Sequence, residues 1–303
     1  MEELAFNPYI AFGWCVFAGF IMAMGNGGGG ILAGIGHISL LGINDPNMIK
    51  AVNLILEFVS RIFSVPIYQK QKRLVWPLAL SFAVGAPLGA ILGSWFSKTY
   101  LSDMTNYKPV FGVLITLVGA RVLYEVFSKN KSEQAKKAVA ASERVRIAQT
   151  NKSATQNPET LEGYAPKTLS VAWNKIRILF AGDEFEFNPL FVAASAFGIA
   201  FLGAMVGVGG GFLVTPFMAT VLLFPMYLAM GTALVAMMIP LIAGVMTYIV
   251  LHVQMDWWLV GIEASGIMFG SFLGPILNQY INERFLKLFV SLVLFAIGLY
   301  YLI

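Results

Sequence analysis

Four polar side chains, Lys50, Asn53, Glu57 and Arg61, interrupt a stretch that otherwise reads as apolar helix. At about 100° per residue, Glu57 and Arg61 lie about 20° to either side of Lys50, and Asn53 about 60° away. They share one face. Glu57 stands near mid-span, about eleven residues from Pro46 and twelve from Gln69, where an ionised carboxylate in an apolar setting needs a partner or a proton. Arg61, four residues on, is well placed for an ion pair. Two readings stand side by side. In one, Arg61 or Lys50 neutralises an anionic substrate while Glu57 balances charge or accepts a coupling proton. In the other, Glu57 and Arg61 form a structural pair and Lys50 snorkels from the helix end.

A second set of residues suits the same chemistry. Gly25-Asn26-Gly27-Gly28-Gly29-Gly30 and Gly207-Val208-Gly209-Gly210-Gly211 each lie inside a long apolar run, Ile10–Leu41 and Leu190–Leu223. So many residues without a Cβ break a helix. Where a half-helix restarts, its first N–H groups are unpaired and its dipole end is positive, which suits an oxyanion. Gly27 to Gly30 and Gly209 to Gly211 would allow close backbone approach, and Asn26 would add an amide. Close helix packing is the alternative use of glycine, but packing asks for spaced small residues, not an unbroken run.

Other polar positions carry less. Glu263, six residues inside Trp257, is a weaker candidate for coupling. Arg121 and Glu125 read as a surface pair, and His37 and His252 as interfacial. With Cys15 the only cysteine and no HxxH or HExxH spacing, no metal site is expected. The glycine runs are not nucleotide loops, because no GKS or GKT follows them. No nucleophile and base stand together as an enzyme requires, and no cofactor is called for.

The elements that hold these residues are those of a polytopic membrane protein. Mean hydropathy is +0.74, and 58% of residues are hydrophobic against 12% charged, too apolar for a soluble domain. Ile10–Leu41 is too long for one straight crossing and divides into two shorter helices at the glycines. Pro46 opens a helix to about Tyr68, closed by the basic turn Gln69–Arg73. Trp76–Phe96 and Pro109–Phe127 follow as further spans. From Ser128 to Phe187 ten Lys and Arg side chains collect, marking a cytoplasmic segment. Within it, Thr150–Pro166 reads as flexible linker. Trp173, Ile176 and Phe180 can share the face of an interfacial helix, or belong to a loosely ordered tether.

The second part of the chain echoes the first. Gly207 lies 182 positions after Gly25, Trp257 lies 181 after Trp76, and Gly266, Gly270 and Gly274 lie 181 after Gly85, Gly89 and Gly93. Two landmarks agreeing within one residue predict an internal duplication. The expected architecture is therefore all-α: two repeats, 1–127 and 188–303, each with a glycine-broken first helix or hairpin and three transmembrane helices, joined by the basic segment 128–187. If the broken segments cross the membrane, thirteen Lys and Arg face four. If they are re-entrant hairpins, the repeats are inverted and fifteen face two, which fits the positive-inside rule slightly better.

Gly-x-Gly-Gly-Gly opening each half, Pro216 five residues after Gly211, Met230-Gly231-Thr232-Ala233-Leu234 on the next helix, and Gly-x-x-x-Gly-x-x-x-Gly on the third resemble the sulfite exporter TauE/SafE family. The resemblance covers roughly 10–127 and 190–303. In the first half Gly34 replaces the proline, and Asn53 stands about where Thr232 does. It implies a multi-pass permease of the bacterial inner membrane that moves small sulfur-containing anions, such as sulfite or sulfoacetate, without ATP hydrolysis. The expected partners are the small anion, the bilayer and, as candidate coupling ion, the proton, with no nucleic acid. The expected substrate site joins Asn26, Gly27, Gly28, Gly29, Gly30, Asn53, Arg61, Gly209, Gly210, Gly211 and Thr232, with Glu57 and Lys50 in coupling or charge balance. An anion channel is the competing reading.

Overall fold

The structure, a computed structural model, describes residues 7–24, 28–127, 133–155, 164–277 and 283–302. Its first helix, α1 (Pro8–Ala23), begins where the Asn7 side chain accepts from the N–H groups of Tyr9 and Ile10 and Pro8 fills the first helical position. At 16 residues it is about 24 Å long, short of a ~30 Å hydrocarbon core. Helix α2 (Gly28–Ile35), extended by a π-helical turn at Gly36–Leu40, runs back beside it. Trp14 Nε1 donates to the Leu32 carbonyl at 2.8 Å. Gly29 lies against Ala18 and Met22, and Gly36 against the Trp14 ring, so close that a Cβ at either would collide.

The chain then continues as α3 (Pro46–Lys70), α4 (Trp76–Tyr100) and α5 (Met104–Phe127). Beyond the central segment a second broken helix has the same build. Helix α7 (Pro189–Met205) is capped by Asn188 and opened by Pro189. Gly207, Gly209 and Gly210, at φ 71°, 56° and 71°, make the turn, a left-handed path that favours residues without a Cβ. Helix α8 (Gly211–Pro216) returns, again ending in a π-helical turn, Phe217–Val221. Helices α9 (Met226–Ala236) and α10 (Met238–Val250), interrupted at Met237, together with α11 (Trp257–Leu277) and α12 (Glu283–Tyr300), complete the chain.

Among the described residues, α4, Met226–Val250 and α11 are long and apolar enough to cross a membrane. Their outward faces carry Leu80, Val84, Leu88, Phe269 and Phe272, the surface hydrocarbon wants. Their inward faces carry glycine ridges. Carbonyls of Ala193, Phe197 and Phe201 on α7 sit directly over Gly85, Gly89 and Gly93 of α4. Carbonyls of Phe12, Val16 and Phe20 on α1 sit likewise over Gly266, Gly270 and Gly274 of α11. Each broken segment is therefore seated on a helix from the other half of the chain. The hairpin ends are pinned the same way: Ser39 and Tyr301 share a 2.6 Å hydrogen bond, and Arg121 donates to Thr220 at 2.6 Å.

The central segment departs from expectation. Instead of an interfacial helix around Leu169–Phe180, a three-stranded antiparallel sheet forms from β1 (Lys167–Val171), β2 (Ile176–Phe180) and β3 (Asp183–Phe187). The reason is a period of two. Ile176, Ile178 and Phe180 are buried, as are Phe185 and Phe187 opposite, while Arg177, Glu184 and Glu186 face out. Ala181 and Gly182, both with positive φ, supply the two-residue hairpin turn. The helical pattern shares Ile176 and Phe180 with the strand but places Trp173 on the same face, whereas Trp173 is exposed in the β1–β2 turn. The sheet packs on Phe224 and Tyr227, at the end of the second broken helix. Helix α6 (Glu133–Thr155) takes up the first part of the expected linker, and Arg144 ties it to the sheet through the Ala181 carbonyl and Asp183. Residues 156–163 of that linker lie outside the described residues.

The ridges predict a contrast between glycines. Gly89→Val drives a side chain into the Phe197 carbonyl and should lower stability by at least about 1–3 kcal/mol. Gly198→Ala, on the α7 face where nothing lies within 4 Å, should be neutral or slightly stabilising. Unfolding temperatures of the purified proteins check both.

Candidate functional site

The centre of the molecule is built on α3. Arg61 Nη2 lies 2.7 Å from Glu57 Oε2, and Arg61 Nη1 donates to the Glu57 backbone carbonyl at 2.7 Å. Both residues are buried, Glu57 2% and Arg61 3% exposed, so the ion pair has no solvent screening to weaken it. Both glycine breaks arrive here. A Cβ on Gly30 would strike Glu57 Oε1, one on Gly209 would strike the same carboxylate, and one on Gly211 would sit 2.9 Å from Arg61 Nη2. These glycines let backbone come where any side chain would displace the pair.

A small cavity lies between the hairpins, lined by Gly30, Glu57, Arg61, Gly211, Thr215 and Leu234. It opens about 10 Å³ to the centre of a water-sized sphere, on the order of one water. That volume is too small for a sulfur oxyanion. Some hydrogen-bonding capacity around it is unused. Among the described residues, Arg61 Nε and both amide atoms of Asn53 are buried without a partner. Such groups cost about 1–3 kcal/mol each when left unpaired.

The predicted residues divide. Asn53, one turn from Glu57, is fully buried under Gly34 of α2 and is not among the residues that line the cavity. Gly28 is buried at the start of α2, while Gly29 packs on α1 and Gly210 on Ile199 of α7 instead of facing Glu57. Asn26 and Gly27, with Gly25, lie outside the described residues. Lys50 is turned away. Its ammonium donates to Ser97 Oγ at 2.7 Å and the Leu101 carbonyl at 2.8 Å, capping the C-terminal end of α4, where the helix dipole favours a cation. Thr232 is also occupied elsewhere, accepting from the Val75 N–H at 3.0 Å, while its neighbours Ala233 and Leu234 reach the cavity.

Thr215 and Met22, both cavity-lining, are additions. Thr215 follows Gly211 by four residues, one helical turn, and that spacing was the available signal. His37 is a correction. Far from interfacial, it is 1% exposed, with Nε2 at 2.8 and 2.9 Å from the two oxygens of Glu263, itself 1% exposed. The π-helical turn carries it inward, and single-sequence periodicity contains no sign of that turn. His252 is exposed. Arg121 reaches Thr220, and the Glu125 side chain lies outside the described residues.

Apolar helices with a lipid-ready outer face, enclosing broken helices and a buried charged pair, define a multi-pass membrane permease. Residues 11–301 match the sulfite exporter TauE/SafE family, and the chain belongs to it. It is 22% identical over 257 residues to the "Probable membrane transporter protein YunE" of Bacillus subtilis (strain 168), covering 84% of this chain and 80% of that one. No solved structure matches the chain. The protein is accordingly a membrane transporter of this family.

The ion pair gives a stability prediction. Glu57→Ala leaves a buried guanidinium without its carboxylate and should cost about 3–5 kcal/mol, whereas Glu57→Met with Arg61→Met should be close to neutral. Thermal unfolding in detergent separates the two outcomes, and equal losses in both would show that the pair's net charge balance is not what matters.

Proposed function

We propose that this protein is a secondary transporter that exports small sulfur-containing anions, sulfite or an organosulfonate such as sulfoacetate, by alternating access. The observation that carries the reading is an unused donor at the cavity, Arg61 Nε–H, buried and unpartnered where Gly30 and Gly211 bring backbone close, with the Asn53 amide also unpartnered one helical turn from Glu57. A tetrahedral or pyramidal oxyanion presents several acceptors and suits such a cluster. The family's name, sulfite exporter, supplies sulfite and the outward direction.

The chemistry has a definite charge requirement. Glu57 and Arg61 are together neutral, so an incoming anion must take the guanidinium from Glu57, and the released carboxylate must then gain a proton or meet water. One proton accompanying one anion keeps the site neutral, which makes the proton the candidate coupling ion. A cavity with room for about one water favours a carrier over an anion channel, because conduction needs a continuous wet path.

The same reading includes an inverted internal repeat. Support comes from the two antiparallel hairpins, the matching π-helical turns at 36–40 and 217–221, and the reciprocal seating on α11 and α4. With the basic central segment inside, both termini then face outward.

Two measurements test this. Sulfite or sulfoacetate, but not acetate, should raise the unfolding temperature of the purified protein, by the equivalent of about 2.7 kcal/mol at a hundred times Kd. The Glu57→Met/Arg61→Met protein should show no such rise. An equal rise in that variant rejects the site, and no rise with any sulfur anion in the wild type rejects the substrate class. A reporter fused after Ile303 should be active only when located outside; cytoplasmic activity rejects the inverted arrangement.

A further inference from the structure

A second buried charged pair lies outside the substrate cavity. His37, in the π-helical turn of the first hairpin, meets Glu263 of α11 with both carboxylate oxygens within 2.9 Å of Nε2. One N–H shared between two carboxylate oxygens places the imidazole hydrogen on Nε2, leaving Nδ1 as a lone-pair acceptor. That nitrogen is buried, with no partner among the described residues. The titratable group that faces the pair is the Cys15 thiol of α1, beside Glu263; Tyr301 lies further off, bonded to Ser39 in the same turn. No Lys or Arg joins it among the described contacts.

The architecture does not require these residues. In the second hairpin the positions 181 residues from His37 and Glu263 are Met218 and Phe82. Both are fully buried in one apolar cluster beneath an equivalent π-helical turn. An apolar pair therefore serves the packing. Intramembrane charge kept where an apolar pair would do marks a function, since it costs free energy without being needed for the fold.

We propose that His37 Nδ1 is a proton-binding site, separate from Glu57, whose occupancy sets how firmly the first hairpin is held on α11. With Nδ1 protonated, imidazolium and carboxylate attract as full charges in a dry interior and the hairpin is latched. When the proton leaves, a neutral ring faces a buried carboxylate, the attraction weakens and the hairpin is released. Because the same hairpin carries Gly30 to the cavity, proton traffic at His37 would gate anion access; this last link rests on the transport reading above.

The chain contains two histidines, and the exposed His252 serves as internal reference for ¹⁵N-imidazole NMR of the full-length protein. Wild-type His37 Nδ1 should change from unprotonated to protonated as the pH falls from 9 to 4. Glu263→Gln should alter that transition, since it removes the carboxylate that faces the ring. In proteoliposomes, His37→Gln should retain counterflow exchange of labelled sulfite yet lose accumulation driven by a pH gradient. Should His37→Gln fold poorly, His37→Met with Glu263→Phe copies the apolar pair of the second hairpin and replaces it in the same assay. A His37 that keeps one charge state from pH 4 to 9 overturns the proposal, as does a variant that accumulates sulfite like the wild type. If the wild type moves no sulfur anion, the transport reading fails while the NMR titration still decides the proton site.

Discussion

Backbone that leaves a helix inside a membrane has to find its hydrogen-bond partners in protein, because hydrocarbon supplies none. That constraint arranges the whole molecule. Two broken helices can exist there only if other helices wrap them. The glycine ridges of α4 and α11 provide the closest wrapping possible, backbone on backbone, with α7 and α1 lying directly over Gly89 and Gly270. Side chains of ordinary size on either ridge would hold the hairpins away and admit lipid to their open turns. Enclosure then delivers both turns to the middle of α3, where Glu57 and Arg61 already stand.

Charges buried in this interior do different work although three of them lie on one helix face. Lys50 satisfies carbonyls at the end of α4 and rests 5.2 Å from the Tyr107 ring. Glu57 and Arg61 neutralise each other. Further along, buried Arg73 lies over the rings of Tyr68 and Tyr227, at 5.2 and 4.2 Å, fixing the turn between α3 and α4 against α9. Each cation has found a negative oxygen, a helix end or an aromatic face. The central group also keeps unused capacity, the Arg61 Nε and the Asn53 amide, as Arg73 does at its own Nε.

Much of this is legible in the sequence. Broken helices follow from Gly-rich runs, because consecutive residues without a Cβ interrupt an apolar helix. The crossings follow from length and hydropathy, and the Glu57–Arg61 pair from four-residue spacing. The features that escape such reading have local physical causes. Lys50 has a long side chain, so its helical position leaves open which way its ammonium turns, and α4 captures it. Thr232 lies on its expected helix, yet its hydroxyl is taken by the Val75 N–H. His37 turns inward because a π-helical turn adds a residue and rotates the side chains beyond it. The sheet at 167–187 is ambiguous because Ile176 and Phe180 satisfy a period of two and a period near 3.6 alike, and only tertiary partners, Phe224 and Tyr227, decide between them.

Each hairpin is seated on a helix from the opposite half of the chain, α1 on α11 and α7 on α4. The crossed seating bears on biosynthesis. When residues 8–40 leave the ribosome, the surface that covers them, residues 257–277, has not been made. The first hairpin must therefore wait in the translocon or among lipids with its glycine turn uncovered, while the second meets a completed α4 as soon as it emerges. The first broken helix to be synthesised is therefore the last to gain the helix that seats it.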